Sequence, residues 1–584
     1  MKLKARLDGD LILVETEFRH ADAIKRVPGA KWHKAIDSWS VPKTWPTLLA
    51  LTNELPIEGD DALKSWVASE YELEQRLHTL KTSDGSDLEL LDPRLLPLQN
   101  VGAHYLREAG NVIMADEMGG GKTVMACVAM REMPDMNRIL IICPNSIKKV
   151  WESHINEWCP GITPIIASDT KKKREEAVKE WQEHDGPAAL IMNYESAWRH
   201  GRLAGYGSIA LKKCVACGGL DETVRESSCE AHDKELSRQR FDLMICDEAH
   251  RMKDPKSKQT RGGWWFADNA EFVWDLTGTP IANGPDDLWS LLRMVDKLAW
   301  PSRVRYVERM CALSYNPHSQ GMDVIGIKPE AMEEFQQAIA RYFIRRTQGE
   351  LIGQTIEKMH STRYVKLSAK QKKIYNAIPN EIIVETESGR FVTDNNLTEQ
   401  LRLRQVMSAN LDIEEVDGEE VVRMIEPSSK LDELWRLWND DMNGEPLVVM
   451  AGGPGARQLI ELLRTRLNKK GVAYSCIVGG MSAEDADYEV AKFQNGQTNL
   501  FIGQTQVAGE GITLTRAKVI CFIQRSWSLV ENLQAEDRIR RYGQNNLSVQ
   551  VIDILSADTV ENKVIDIYTG KKEMLQEVVQ DKKE

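Results

Sequence analysis

Short apolar runs separated by polar, helix-compatible stretches recur along most of the chain. Residues 112–114, 139–143, 188–192, 241–246 and 272–276 are such runs, each bounded by turn residues, as expected of strands buried on both faces. Residues 124–130 and 150–158 carry the wider period of helices between them. Strands alternating with helices predict a parallel sheet covered on both sides, with functional residues where the strands end. The pattern restarts near Ser429-Lys430-Leu431, with strands predicted at 447–450, 475–478, 500–502, 519–522 and 549–552. Between the two α/β regions, residues 300–428 read as a more polar, helical linker. That stretch holds Phe343-Ile344-Arg345-Arg346-Thr347, which reads as a basic cluster with exposed charges. Ahead of both lies a small α+β module, residues 1–85, that ends in the turn-rich Thr82-Ser83-Asp84-Gly85-Ser86-Asp87. The resulting division is 1–85, 90–299, 300–428, 429–556 and a C-terminal helix, 557–584.

Composition narrows this picture. A chain of 584 residues with 42% hydrophobic and 28% charged residues is globular rather than disordered. No apolar run is long enough to cross a bilayer, and Met1-Lys2-Leu3-Lys4-Ala5-Arg6 does not open a signal peptide, so the expected location is intracellular, with no membrane partner. The net charge of −13 argues against nucleic-acid binding by overall charge; a nucleic-acid partner requires a local groove.

The strongest chemical signal is Asp116-Glu117-Met118-Gly119-Gly120-Gly121-Lys122-Thr123. It follows a predicted strand and opens a predicted helix, the context of a phosphate-binding loop. Glycines let backbone N–H groups turn inward around a polyphosphate, and the new helix aims its positive end at the same anion. Lys122 is expected to reach the β- and γ-phosphates and Thr123 to offer a hydroxyl to Mg²⁺. Gln99, just upstream, carries an amide suited to the edge of adenine. Asp247-Glu248-Ala249-His250 closes another predicted strand, so Asp247 is expected to hold Mg²⁺ and Glu248 to orient or deprotonate the attacking water.

Two features stand outside this set. Cys214-x2-Cys217 and Cys229-x2-His232, eleven residues apart, have the spacing of two knuckles around a structural Zn²⁺, so residues 208–238 read as a small zinc-binding insertion. Trp32 and Trp39 flank a turn in the N-terminal module. Such a pair either forms the core of a small β-rich fold or stacks on bases, and the core reading carries more weight.

In the second α/β region, Gln534 to Gln544 reads as a short arginine-rich helix, with Arg538 and Arg541 three apart on one face. Paired guanidiniums of this kind suit a γ-phosphate, although a charge run is more often a solvated face.

Together, Gln99, Asp116 to Thr123, Asp247-Glu248-Ala249-His250, Leu276-Thr277-Gly278-Thr279-Pro280-Ile281-Ala282-Asn283, Arg345-Arg346-Thr347 and Gln534 to Gln544 resemble the motifs of Swi/Snf-type DNA translocases of helicase superfamily two. The resemblance covers about residues 94–570, and the N-terminal module faintly resembles the HepA-related module of annealing helicases. Gly120 stands where the family usually has leucine, Ala486 where arginine is common, Thr513 where asparagine is frequent, and Leu529 where proline is usual.

The resemblance implies two RecA-like lobes with ATP between them. It implies that Asp116, Gly119, Gly120, Gly121, Lys122, Thr123, Gln99, Gly509, Glu510 and Gln534 contact the nucleotide. Lys122, Asp247, Glu248, Arg538 and Arg541 would catalyse, and Asn145, Ser146, Tyr194, Thr279, Thr505 and Trp527 would face DNA. The function implied is an ATP-dependent DNA translocase, monomeric, using ATP, Mg²⁺ and Zn²⁺, on duplex, forked or single-stranded DNA held mainly by its phosphates. A protein partner would dock on the N-terminal module or the zinc insertion. The rival readings are a strand-separating DNA helicase, a DEAH-type RNA helicase and a non-hydrolysing DNA-binding adaptor.

Overall fold

The computed structural model describes residues 2–16, 18–168, 170–206, 212–213, 220–221, 234–316, 321–353, 356–378, 383–386, 389–392, 396–416, 419–508, 512–541, 544, 546 and 548–579. The chain divides into two compact units, residues 1–353 with 574–584, and residues 354–573.

The first unit is organised around a parallel sheet of seven strands. Their spatial order is Phe343–Ile344, Val112–Met114, Ala270–Leu276, Phe241–Asp247, Arg138–Cys143, Ala188–Asn193 and Thr163–Ile166. Alternate side chains enter opposite cores: Ile139, Ile141 and Cys143 pack with Val112 and Met114, while Leu140 and Ile142 pack with Ile113 on the other face. This is why the strands read as continuous apolar runs. Each fully buried aliphatic side chain contributes about 1.5–3 kcal/mol, which fixes the strand ends that carry the site.

The N-terminal module is a five-stranded sheet in the order Lys31–His33, Ser38–Pro42, Leu11–Val14, Leu3–Asp8, Ile57–Gly59. Its tryptophan pair is divided in role: Trp39 joins the module's core, whereas Trp32 is 44% exposed with its ring 5.6 Å from that of Trp39. The module shares the first compact unit. Leu77 and Leu80 of helix Asp61–Thr82 enter the core beneath Tyr105 and Leu106, and Arg341 pairs with Glu70 at 2.6 Å.

The second unit has a parallel sheet of six strands, in the order Glu357–Val365, Ser548–Ser556, Val519–Gln524, Leu447–Ala451, Leu500–Gln504, Tyr474–Ile477. All five strands predicted for it are present.

The stretch 300–428, expected to be a helical linker, carries strands as well as helices such as Met332–Ile339 and Asn396–Ser408. That stretch contributes Phe343–Ile344 to the first sheet and Glu357–Val365 to the second, and it forms antiparallel hairpins such as Cys311–Asn316 with Gly321–Ile327. Strand Glu357–Val365 is largely exposed, so it lacks the apolar run by which a buried strand is recognised. The proposed zinc ligands Cys214, Cys217, Cys229 and His232 lie outside the described residues. Among the described residues, no group of three or more His, Cys, Asp or Glu could hold a metal ion, and no helix is long and apolar enough to cross a membrane.

Candidate active site

Strand Val112–Met114 runs into the glycine loop, and helix Lys122–Glu132 leaves it. Gly119 and Gly121 have φ of +78° and +88°, values that favour glycine, and Gly121 is the cap residue of the helix. A Cβ on Gly121 would stand 2.5 Å from Gln99 Nε2. The loop is therefore closed on itself. Lys122 Nζ donates to the carbonyls of Asp116 at 2.7 Å and Glu117 at 3.3 Å, and Gln99 Nε2 donates to the Gly120 carbonyl at 3.1 Å. The other end of the Gln99 amide accepts from Leu96 N–H at 3.1 Å, so in this conformation Gln99 ties helix Pro97–Ala109 to the loop rather than presenting a free amide. Thr123 is half-buried in the first turn of its helix.

Asp116 differs from its expected role. Its carboxylate is fully buried and paired with Arg346, at 2.5 Å to Nη2 and 3.1 Å to Nε, and it also accepts the Arg346 backbone N–H at 2.9 Å. A side chain held in this way is not available to a nucleotide; its main-chain carbonyl, which seats Lys122, faces the loop.

Asp247 and Glu248 end the central strand Phe241–Asp247. Trp151 Nε1 donates to Asp247 Oδ2 at 2.9 Å, and the Glu248 N–H donates to Oδ1 at 3.0 Å. Burial, with the neighbouring Glu248 charge added, pushes the Asp247 carboxyl up to about 7, while Trp151 and Lys122 pull against that rise. Lys122 and Asp247, 125 positions apart by their numbers, thus act on one another within a single site. Glu248 has φ of +58°, left-handed for a residue with a side chain, and its carboxylate lies 3.3 Å from His250 Nδ1, which is 3.1 Å from Thr277 Oγ1. Such backbone conformations cost of order 1–3 kcal/mol and gather at functional sites.

The residues expected to face DNA divide. Asn145 and Ser146 are exposed at the end of strand Arg138–Cys143. Tyr194 does not fit the expectation: it is 1% exposed, and its hydroxyl donates to the Asp247 carbonyl at 2.6 Å, bracing the strand end from beneath. Thr279 and Thr505 are also buried, and their hydroxyl oxygens have no hydrogen-bond partner among the described residues. Trp527 is half-buried, with the Arg404 guanidinium 5.0 Å from its ring centre.

In the second unit the arginine-rich helix is shorter than expected. Helix Leu529–Glu536 contains the buried Gln534 and stops before Arg538, so the two arginines do not share a helix face. They meet through the adjoining segment: Arg538 Nη1 donates to the Ile512 carbonyl and Arg541 Nη1 to Thr513 Oγ1, both at 3.2 Å. Arg538 is 3% exposed, which excludes a solvated charge run there. Gly509 and Glu510 lie outside the described residues.

A family model described as SNF2-related domain matches residues 63–411, more than half of the chain, and one described as helicase conserved C-terminal domain matches residues 429–543. The chain belongs to the SNF2-related family. It is 25% identical over 498 residues to "Chromodomain-helicase-DNA-binding protein 1-like" of Mus musculus, covering 83% of this chain and 50% of that protein. An "Uncharacterized ATP-dependent helicase" of Mycoplasma pneumoniae is 23% identical over 472 residues, covering 79% of this chain and 40% of that one. The chain thus spans half or less of the length of these relatives. A solved structure, "Sulfolobus solfataricus SWI2/SNF2 ATPase core in complex with dsDNA", aligns with a TM-score of 0.37 and 20% identity over 84% of this chain and 99% of that one.

Sequence reasoning missed the work done by Arg345 and Arg346 of this SNF2-related chain. Read as exposed charges, Arg346 is buried and Arg345 is half-buried. Arg346 is bonded to Asp116, and Arg345 Nη1 donates to the carbonyls of Ala115 at 2.9 Å and Gly278 at 3.1 Å. The available signal was the apolar pair Phe343-Ile344 directly ahead of them, a short buried strand within a polar stretch.

Proposed function

We propose that this chain hydrolyses ATP and uses the cycle to move along DNA. The observation that carries the reading is the closed phosphate loop of the first unit, whose Lys122 lies in the electrostatic field of the buried Asp247. The donor set fits a hard divalent cation: Asp247 and Thr123 both offer oxygen, and a carboxyl held near 7 beside a second carboxylate gains from a positive neighbour. Bound there, magnesium would neutralise charge on the β- and γ-phosphate oxygens. In this reading the loop N–H groups and Lys122 bind the polyphosphate, and Asp247 and Thr123 hold the cation. Glu248 orients the attacking water and takes its proton, held in place by its strained backbone and by His250. Arg538 and Arg541 supply charge to the transferring phosphoryl group.

DNA is the partner this reading assigns. It would be held through its phosphates, so binding would be sequence-tolerant and salt-sensitive. Cys214, Cys217, Cys229 and His232 would hold a structural zinc ion, which metal analysis of the purified chain would detect at one equivalent. The deciding experiment is ATPase rate with and without duplex DNA for the parent chain and Lys122→Ala. Stimulation of the parent and a loss of turnover to background in the variant are expected, and DNA-stimulated turnover in Lys122→Ala equal to the parent would sink the reading. In the same assay Arg541→Ala should lose roughly a thousandfold in turnover.

A further inference from the structure

We infer that Arg346, supported by Arg345 and Leu351, is a positioning residue for nucleotide turnover: it seats the phosphate loop from a strand that leads out of the first unit. The inference rests on the ATPase reading.

Strand Phe343–Ile344 lies at the edge of the first sheet, and its backbone ladder continues past the strand itself. Ile113 N–H donates to the Tyr342 carbonyl, Ala115 N–H to Ile344 at 2.7 Å, and Glu117 N–H to Arg346 at 2.9 Å. Residues 342–346 therefore run beside the whole entry to the glycine loop, and the first unit's main segment ends seven residues later at Gly353.

The side chain of Arg346 extends this contact in three directions. It forks onto the buried Asp116 carboxylate, donates to the Leu98 carbonyl, and rests 3.7 Å from Met125 Sδ in the helix that follows the loop. The bonds form a closed ring. Arg346 holds Asp116, the Asp116 carbonyl seats Lys122, the loop carbonyl of Gly120 accepts from Gln99, and Gln99 is adjacent to Leu98, which returns to Arg346. The space is tightly filled: a Cβ on Gly102 would stand 2.4 Å from Met125 Sδ and 2.6 Å from Arg346 Nη2. A guanidinium fork matches a carboxylate in a way an ammonium does not, so the ring depends on arginine specifically.

Just beyond it, helix Gln348–Ile352 caps the loop. The Gln348 N–H donates to Glu117 Oε2 at 3.0 Å, and the buried Leu351 occupies the space beside Gly120. A Cβ on Gly120 would stand 2.4 Å from Leu351 Cδ1 and 3.1 Å from the Glu117 carbonyl. Leu351 thus occupies the space that a side chain at 120 would need.

The test uses the full chain, with ATPase kinetics, equilibrium binding of a fluorescent ATP analogue and melting temperature measured together. Arg346→Lys keeps the charge and loses the fork. Its KM for ATP should rise roughly tenfold, with saturating turnover changed less, because Lys122 and Glu248 remain. Gly120→Ala should raise KM by displacing Leu351, and the pair Gly120→Ala with Leu351→Ala should recover most of the loss, since a methyl then occupies the vacated space. A merely structural leucine would make the pair worse than either single change. The inference is overturned if folded Arg346→Lys binds and turns over ATP within twofold of the parent, or if the double variant is no better than Gly120→Ala alone. Should Arg346→Lys fail to fold, the Gly120–Leu351 comparison decides. A parent chain that binds the analogue without hydrolysing ATP would overturn the ATPase reading, and the binding measurements would still judge whether Arg346 seats the loop.

Discussion

Two carboxylates, one in each unit, are almost equally withdrawn from water and are driven in opposite directions. Asp247 is 7% exposed and Glu536 is fully buried. Burial dominates at Asp247 and, with Glu248 beside it, pushes the group up to about 7. At Glu536 burial is overcome: Lys358 lies 3.3 Å away, Arg525 2.9 Å, and Tyr568 donates its hydroxyl at 2.8 Å, so the group is held down to about 2. Arg525 is itself anchored by Asp553 at 2.6 Å. Burial therefore does not decide the state of an acid; the cations supplied with it do. The second unit neutralises its carboxylate with its own side chains, which is what a stable core requires. The first unit leaves Asp247 short of positive charge at the mouth of a phosphate loop, where a bound cation would supply it.

The largest effect that would break this contrast is on activity. Asp247→Asn should lower ATP turnover by roughly a hundredfold to a thousandfold, as removal of a single charge-stabilising group at a reacting phosphate does. Its melting temperature should change little. Relief of a poorly compensated buried charge offsets the new amide NH2 group that faces one of the two donors, Trp151 Nε1 or the Glu248 N–H. A variant that melts many degrees lower with unchanged turnover per folded molecule would show that Asp247 is a structural acid like Glu536.

Glu536→Gln is the counterpart. Removing one partner of a buried ion pair typically costs about 3–5 kcal/mol; because Arg525 keeps Asp553 and Lys358 keeps Asp537, the lower end of that range is expected. The second unit should lose cooperative stability by that amount in denaturant titration. The sign with pH follows from the depressed value. Unfolded, the group titrates near 4.5; folded, near 2. Its contribution is complete above about 4.5 and is lost as pH falls toward 2. Acid titration of the parent should show this loss and Glu536→Gln should not; identical acid profiles would remove Glu536 from the account.

The same contrast explains how much of the molecule could be read from the sequence. The first-unit site is local. A strand, a glycine loop and a helix within about twenty residues are visible as pattern, and Asp247-Glu248 follows an apolar run that can be recognised alone. Most strands of both parallel sheets were legible for the same reason: strands buried on two faces have no polar alternation to confuse them. Phe343–Ile344, Thr163–Ile166 and Glu357–Val365 were not among them. What was not legible joins distant positions. Asp116 looked like part of the loop chemistry until Arg346, 230 positions later, was seen to hold it. Tyr194 looked like a surface contact because nothing near it in sequence announces a bond to the Asp247 carbonyl. Strand Glu357–Val365 pairs along its whole length with Ser548–Ser556, but its exposed side chains hide it. The helix expected to carry Arg538 and Arg541 ends at Glu536, the residue drawn into the Arg525 and Lys358 network.

The smallest test is also the most discriminating, because it changes one oxygen. Tyr568 is 7% exposed, with its hydroxyl on Glu536 and its ring 4.6 Å from the Arg525 guanidinium. Tyr568→Phe keeps the ring and its cation–π contact and removes only the hydrogen bond. A hydrogen bond to a charged group is worth about 1.5–3 kcal/mol, so the loss should fall below that of Glu536→Gln, with ATP turnover at saturation unchanged. The Glu536 carboxylate would keep both cations but lose a donor that favours its charged form. Its folded pKa should therefore rise, and the acid transition should begin at a higher pH than in the parent. If Tyr568→Phe cost as much stability as Glu536→Gln, the hydroxyl rather than the two cations would be what holds this carboxylate charged, and the contrast with Asp247 would rest on hydrogen bonding instead of charge.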